Sequence, residues 1–201
     1  MVLENKLGIS NSVELAHMEE RLSKQRAIEL FDSGMLAALE PGAYKSLAKI
    51  HECLFADVYD FAGKMRDVDI AKGSFRFAPV LYLADAVARI EAMPQSTFDE
   101  IVEKYVEMNV AHPFREGNGR AMRIWLDAML KAGIAKAVDW SQVDREDYLL
   151  AMERSPVRDV EIKALLKSAL TDETHDREVF MKGIDASYAY EGYATYSAAD
   201  L

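Results

Sequence analysis

Apolar residues recur at three- and four-residue spacing along most of the chain, a period that predicts a succession of amphipathic helices. Ser12 to Leu39 is helical by pattern, with a break at Ser33 and Gly34. Prolines punctuate the remainder of the chain. Pro41 precedes a predicted helix of Tyr44 to Val58. Pro94 opens one that runs to Ala111 through Phe98, Ile101, Val102, Tyr105, Val106 and Val110, and Pro156 separates two more near Tyr148 to Glu153 and Val160 to Leu170. Ile124, Trp125, Ala128, Met129 and Gly133 mark another, starting near Asn118 or Gly119 and ending at the glycine. One stretch departs from the helical period: Lys72-Gly73-Ser74 is a turn signal between residues that alternate in the manner of short strands. No repeat, low-complexity tract or linker interrupts the pattern, so residues 1–201 are expected to form one domain.

Composition narrows the setting without naming a chemistry. A net charge of -10 disfavours direct binding to nucleic acid. No apolar run is long enough to span a membrane and no secretory leader is evident, so a cytoplasmic protein is expected. The single cysteine, Cys53, lies in an apolar helical stretch and reads as a small buried hydrophobe in a reducing compartment. His17, His51 and His175 lack ligand spacing and are assigned no metal, while Trp140, Leu165, Leu166, Leu170 and the ten methionines read as core.

Chemistry concentrates between His112 and Arg123, in His-Pro-Phe-Arg-Glu-Gly-Asn-Gly-Arg-Ala-Met-Arg. Pro113 should end the preceding helix and push His112 out of helical geometry, leaving its imidazole at the helix exit. Gly117 and Gly119 free the backbone to approach ligand oxygens, and the loop feeds a helix N-terminus, where unpaired N–H groups and the helix dipole favour an anion. Arg120 and Arg123 lie three apart and can lean over one site, and Glu116 can hold a divalent cation through oxygen. Singly, each part has an ordinary explanation as surface residue or turn. Together they suit a polyphosphate.

This run resembles the signature of the Fic family, HPFx(D/E)GNGRxxR, with every defined position filled. Ile50-His51, Leu54-Phe55, Tyr59, Phe61-Ala62-Gly63 and Arg66 are similar to the segment such domains carry upstream, and the resemblance extends from about Ser33 to Tyr193. It implies an all-α fold, a helical bundle with a short β-hairpin flap, and transfer of AMP from ATP to a serine, threonine or tyrosine hydroxyl of a target protein. His112 would then be the general base, Glu116 the ligand of Mg2+ or another divalent cation, and Gly117, Asn118, Gly119 and Arg120 the phosphate cradle. Arg123 would hold the γ-phosphate. In the resemblance, residues 70–79 form the flap on which an extended target segment docks, and Lys72 could reach the nucleotide. Asn109 and the Tyr148-Leu149 segment could line the nucleotide pocket, although both residue types have structural explanations. Type II topoisomerase subunits are candidate targets by the same resemblance. A transferase of the same fold moving phosphate or UMP, and a nucleotide-sensing binding module without catalysis, remain competing readings.

Ser187-Tyr188-Ala189-Tyr190-Glu191-Gly192 resembles the (S/T)xxxE(G/N) inhibitory helix of the family and predicts such a helix over about 183–192. Ser187 and Glu191 fall on one helical face, with Gly192 as the stop. Glu191 would pair with Arg123, misorient ATP and suppress transfer. It could also serve removal of AMP from the target, with the metal deciding the balance. Tyr188 and Tyr190 are candidates for automodification, and self-association that buries this helix would set activity by concentration.

Overall fold

A computed structural model describes residues 2–73, 75–192 and 195–201; Ser74 of the predicted turn and Tyr193 lie outside the described residues. Nine helices are described: α1 (Ser12–Asp32), α2 (Met35–Ala38), α3 (Tyr44–Phe55), α4 (Val80–Glu91), α5 (Phe98–Ala111), α6 (Asn118–Ile134), α7 (Arg145–Arg154), α8 (Val160–Ser168) and α9 (Arg177–Tyr190). Two small antiparallel ladders accompany them. β1 (Ala71–Lys72) pairs with β2 (Phe75–Arg76), Ala71 opposite Arg76, and β3 (Ala137–Val138) pairs with β4 (Leu170–Thr171), Val138 opposite Leu170. The all-α expectation with a hairpin inside 70–79 therefore holds. Among the described residues no helix is long and apolar enough to cross a membrane.

Helix α6 is the axis of the core, packing on α5, α3 and α9, while α1 lies across α3 and α9. Its Met122, Trp125, Leu126 and Leu130 are fully enclosed, and the Trp125 indole N–H donates to the Ala43 carbonyl at 3.1 Å. Each such side chain stabilises the fold by about 1.5–3 kcal/mol. Gly133 does not end this helix, as its position suggested; the chain continues to Ala135, which adopts φ 53°. A Cβ at 133 would come within 2.9 Å of the Gln95 carbonyl oxygen and of Ile101 Cδ1, so the glycine lets α5 and α6 close together.

Several boundaries move for local reasons. Helix α5 starts at Phe98 rather than Pro94, because Thr97 accepts from the Glu100 N–H while the Glu100 carboxylate accepts from the Ser96 and Thr97 N–H groups. Helix α3 stops at Phe55 rather than Val58, and α8 stops at Ser168, leaving Leu170 to the β3–β4 ladder. Cys53 is half-buried, and Met35 is exposed, so not every methionine is core.

The chain beyond α9 returns to α1. Glu20 accepts from the Thr195 and Tyr196 N–H groups, and Lys24, itself buried, pairs with Glu20 at 3.0 Å and Asp185 at 2.9 Å. Asp185 also accepts from the Ala198 N–H at 2.9 Å.

Candidate active site

His112 caps α5 in the left-handed region, φ 51° and ψ 65°, a backbone state uncommon for residues other than glycine. The Pro113 ring bars a further helical turn, and the reversal turns the imidazole back toward the last turn of α5. Its Nδ1 lies 3.1 Å from the Asn109 carbonyl, which can only accept, so Nδ1 carries the proton and Nε2 keeps its lone pair. The ring stacks on Phe77 at 3.7 Å between centroids. Burial pushes its pKa down to about 4, against the Asn109 bond and the Glu191 charge, which favour the protonated form. At neutral pH this is a base held uncharged.

The loop after His112 is built by side-chain-to-backbone bonds. The Asn118 amide accepts from the Phe114 N–H at 2.8 Å and donates to the Phe114 carbonyl at 2.7 Å, so its side chain braces the loop rather than facing a ligand. Gly117 at φ 76° has no alternative, since a Cβ there would fall 2.4 Å from the Phe55 ring. His51 lies behind the loop: the Gly63 N–H donates to its Nδ1 at 2.9 Å, so its Nε2–H donates to the Glu116 carbonyl at 2.8 Å. Helix α6, like α2, α3, α4 and α8, begins with no side-chain cap, and its first N–H groups face the cavity that holds His112.

Arg120 is buried behind this loop and does not line the cavity. One guanidinium nitrogen bonds Glu19 of α1 and the other Glu116 Oε1 at 3.2 Å, with Phe55 and Tyr188 against its faces. Glu19 also accepts from the Tyr59 hydroxyl. Glu116 Oε1 additionally accepts from the Gly117 N–H at 3.0 Å, and its Oε2 has no protein partner among the described residues. A half-exposed carboxylate with one oxygen unpartnered suits a hard divalent cation.

Arg123 faces α9. Its Nε donates to Ser187 Oγ at 2.6 Å, Nη2 donates to the Ser187 carbonyl at 3.0 Å, and Nη2 lies 3.7 Å from Glu191 Oε1. Tyr148, Tyr190 and Trp140 surround the guanidinium. Helix α9 begins at Arg177, earlier than the motif alone suggested, and Glu191 is its C-terminal cap with Gly192 at φ 91°. Burial would push the Glu191 carboxyl up, but Arg123, Arg120 and Lys72 together hold it below its usual value. A Cβ on Gly119 would meet Glu191 Oε1 at 2.9 Å: the carboxylate sits against the opening turn of α6, in the anion position.

One cavity of about 710 Å³ gathers His112, Asn109, Glu116, Gly117, Asn118, Gly119, Arg123, Leu149 and Glu191, with Lys72, Phe75 and other hairpin residues and with Tyr148, Met152 and Glu153 also in its wall. Lys72, on β1, stands 3.9 Å from Glu191 Oε2. Tyr188 and Tyr190 are both buried, and the Tyr190 hydroxyl donates to the Val143 carbonyl at 2.8 Å, so neither presents its hydroxyl to the cavity in this arrangement. Automodification would require α9 to leave its seat.

Residues 42–130 match the Fic/DOC family. A probable protein adenylyltransferase of Sinorhizobium fredii is 31% identical over 166 residues, covering 77% of this chain and 83% of that protein. The chain belongs to the Fic/DOC family. Similar too are the protein adenylyltransferase VbhT of Bartonella schoenbuchensis, 31% identical over 89% of this chain but only 39% of that longer protein, and a probable protein adenylyltransferase Fic of Salmonella typhimurium, 29% identical over 85% and 88%. Among solved structures, the N-terminal FIC domain of a VirB-translocated effector from Bartonella sp. 1-1C superimposes with a TM-score of 0.73, at 19% identity and covering 89% of this chain and 92% of that one. The BepC protein of Bartonella tribocorum with bound AMPPNP gives 0.69, at 19% identity over 85% and 93%. The helical fold is shared over 85–89% of this chain.

Proposed function

We propose that this chain is a protein adenylyltransferase, moving AMP from ATP to a serine, threonine or tyrosine hydroxyl of a target protein and releasing pyrophosphate. One observation carries the reading: an uncharged imidazole with a free Nε2 shares a cavity with an uncapped helix N-terminus and a buried arginine. His112 takes the hydroxyl proton as the oxygen–phosphorus bond forms, while the α6 N–H groups, with Arg120 behind them, favour the phosphate charge. Glu116 would hold Mg2+ or another divalent cation, which neutralises phosphate charge when bound. The relatives named as adenylyltransferases support the same chemistry.

In this arrangement Glu191 occupies the place a triphosphate needs, so the structure is read as an inhibited state, with Ser187 and Glu191 as the inhibitory pair. The β1–β2 hairpin is the docking edge for an extended target segment, which backbone bonds would hold without strict sequence demand. A type II topoisomerase subunit as target, self-association of the chain and removal of AMP through Glu191 belong to this proposal. Labelling a lysate in parallel with ATP radiolabelled at the α- or γ-phosphate tests it. Label from the α-phosphate alone, with Glu191→Gly and not with His112→Ala, is the expected result; label from the γ-phosphate would assign phosphate transfer instead.

A further inference from the structure

Arg66 is buried, yet among the described residues no carboxylate lies within ion-pair distance of it. Its hydrogen bonds go instead to backbone carbonyls from two separate stretches. Nε donates to His112 at 2.8 Å and Nη2 to Ala111 at 3.1 Å, while its own main-chain N–H donates to Pro113 at 2.8 Å. Three consecutive carbonyls across the turn that carries the imidazole are thus held by one residue. The remaining donors reach the root of the hairpin, Nη1 to Val68 at 2.8 Å and Nη2 to Ala78. The Ala78 N–H completes the joint by donating to the Val110 carbonyl at 3.1 Å.

We propose that Arg66 is a positioning residue that imposes the left-handed backbone of His112 and fixes the hairpin root to it, so that imidazole and target-docking edge move as one unit. The inference rests on the reading of His112 as general base. Its physical basis is the donor set: a guanidinium presents donors in a rigid planar fork, whereas an ammonium presents three from a single point. Without the fork, nothing else among the described bonds holds the His112 carbonyl. Its ring would then be free to leave the Asn109 carbonyl, and Nε2 would no longer be obligatorily unprotonated. Nucleotide contacts on α6 and α7 do not pass through Arg66, so chemistry and ATP binding should separate.

The test uses full-length protein carrying Glu191→Gly as parent and Arg66→Lys added to it. Nitrogen-15 spectra of the histidine rings, with His112 assigned by its absence in His112→Gln, should show the Nδ1-protonated form in the parent and a mixture of both tautomers with Arg66→Lys. Transfer at saturating ATP should slow by about tenfold or more, with the Kd for ATP within about twofold. Arg66→Ala should recover part of the rate when guanidinium ion is added at sub-denaturing concentration. An unchanged tautomer with an unchanged rate overturns the assignment. So does a parallel loss of ATP affinity, or failure of both variants to fold, since the residue would then serve stability alone. A parent that transfers nothing sinks the adenylyltransferase reading, and the tautomer measurement still decides Arg66.

Discussion

Arg123 is bound to Ser187 twice, through Nε to the hydroxyl at 2.6 Å and through Nη2 to the main-chain carbonyl at 3.0 Å, whereas Glu191 stands 3.7 Å from the same Nη2. The serine supplies the short directional bonds and the glutamate supplies the charge. That division matters because the guanidinium is buried, and a buried cation without an anion is unfavourable. A γ-phosphate would replace the glutamate in that electrostatic role, while Ser187 could keep its bonds to Nε and Nη2.

Glu191→Gly should therefore raise AMP transfer several-fold or more, measured as autolabelling or target labelling from α-phosphate-labelled ATP. Equal labelling by variant and parent chain would remove Glu191 from the inhibitory role.

Ser187→Ala removes one hydroxyl and leaves the main-chain acceptor in place. A hydrogen bond to a charged group contributes about 1.5–3 kcal/mol, so α9 should loosen without losing its anion. We expect a rise in labelling smaller than that of Glu191→Gly. A larger one would mean that the hydroxyl, not the carboxylate, holds the helix shut.

Gly133→Ala sets two effects against each other. Alanine in a helix interior gains about 1 kcal/mol over glycine, but the new methyl would lie 2.9 Å from the Gln95 carbonyl oxygen and Ile101 Cδ1. Overpacking against backbone costs about 1–3 kcal/mol, and the carbonyl cannot swing aside as a side-chain end would. The variant should lower Tm, read by calorimetry; a raised Tm would show that α5 and α6 can part freely.

Stability should fall with acid through the histidines. Burial pushes the His51 and His112 pKa values down to about 4 from 6.5, so between those pH values the unfolded chain binds protons that the folded chain refuses. Stability from each is full above pH 6.5 and is lost as pH falls toward 4, at a slope of up to about 1.4 kcal/mol per pH unit. Burial raises Asp127 to about 6 from 3.8, which acts oppositely over pH 3.8–6, its contribution being lost as pH rises. Urea unfolding of His51→Gln at pH 7 and pH 5 should show a shallower dependence than the parent chain. An identical slope would mean His51 is protonated in the folded state.

Transfer itself should keep its rate on the acid side. With His112 near 4, the base stays unprotonated down to about pH 5, and the charge of Glu191, which favours the imidazolium, is gone in Glu191→Gly. A pH–rate profile of that variant with an acid limb centred at 6.5 would mean the imidazole is solvated during turnover.

Much of the site was legible because it is local in sequence: His112 through Arg123 is one loop and one helix start, and the proline and glycines that shape it are visible as letters. The hairpin was readable for the same reason. Glu19 was not, because a glutamate beside another glutamate on an amphipathic helix looks like a solvated face until the partner Arg120, far along the chain, is seen against it. His51 carries no ligand spacing in the sequence, and only the fold reveals that it bonds the Glu116 carbonyl. Gly133 misled because helix termination and close helix packing select the same residue type.

Glu19 and Glu20 are neighbours on α1, so their side chains leave the helix about 100° apart. One meets Arg120 behind the loop that opens α6, and the other accepts from the N–H groups of residues 195 and 196, a few residues past Glu191. Both contacts are thus carried by adjacent positions of one helix. Under the proposed function, a shift of α1 would reach the loop before α6 through Glu19 and the chain after α9 through Glu20 at once.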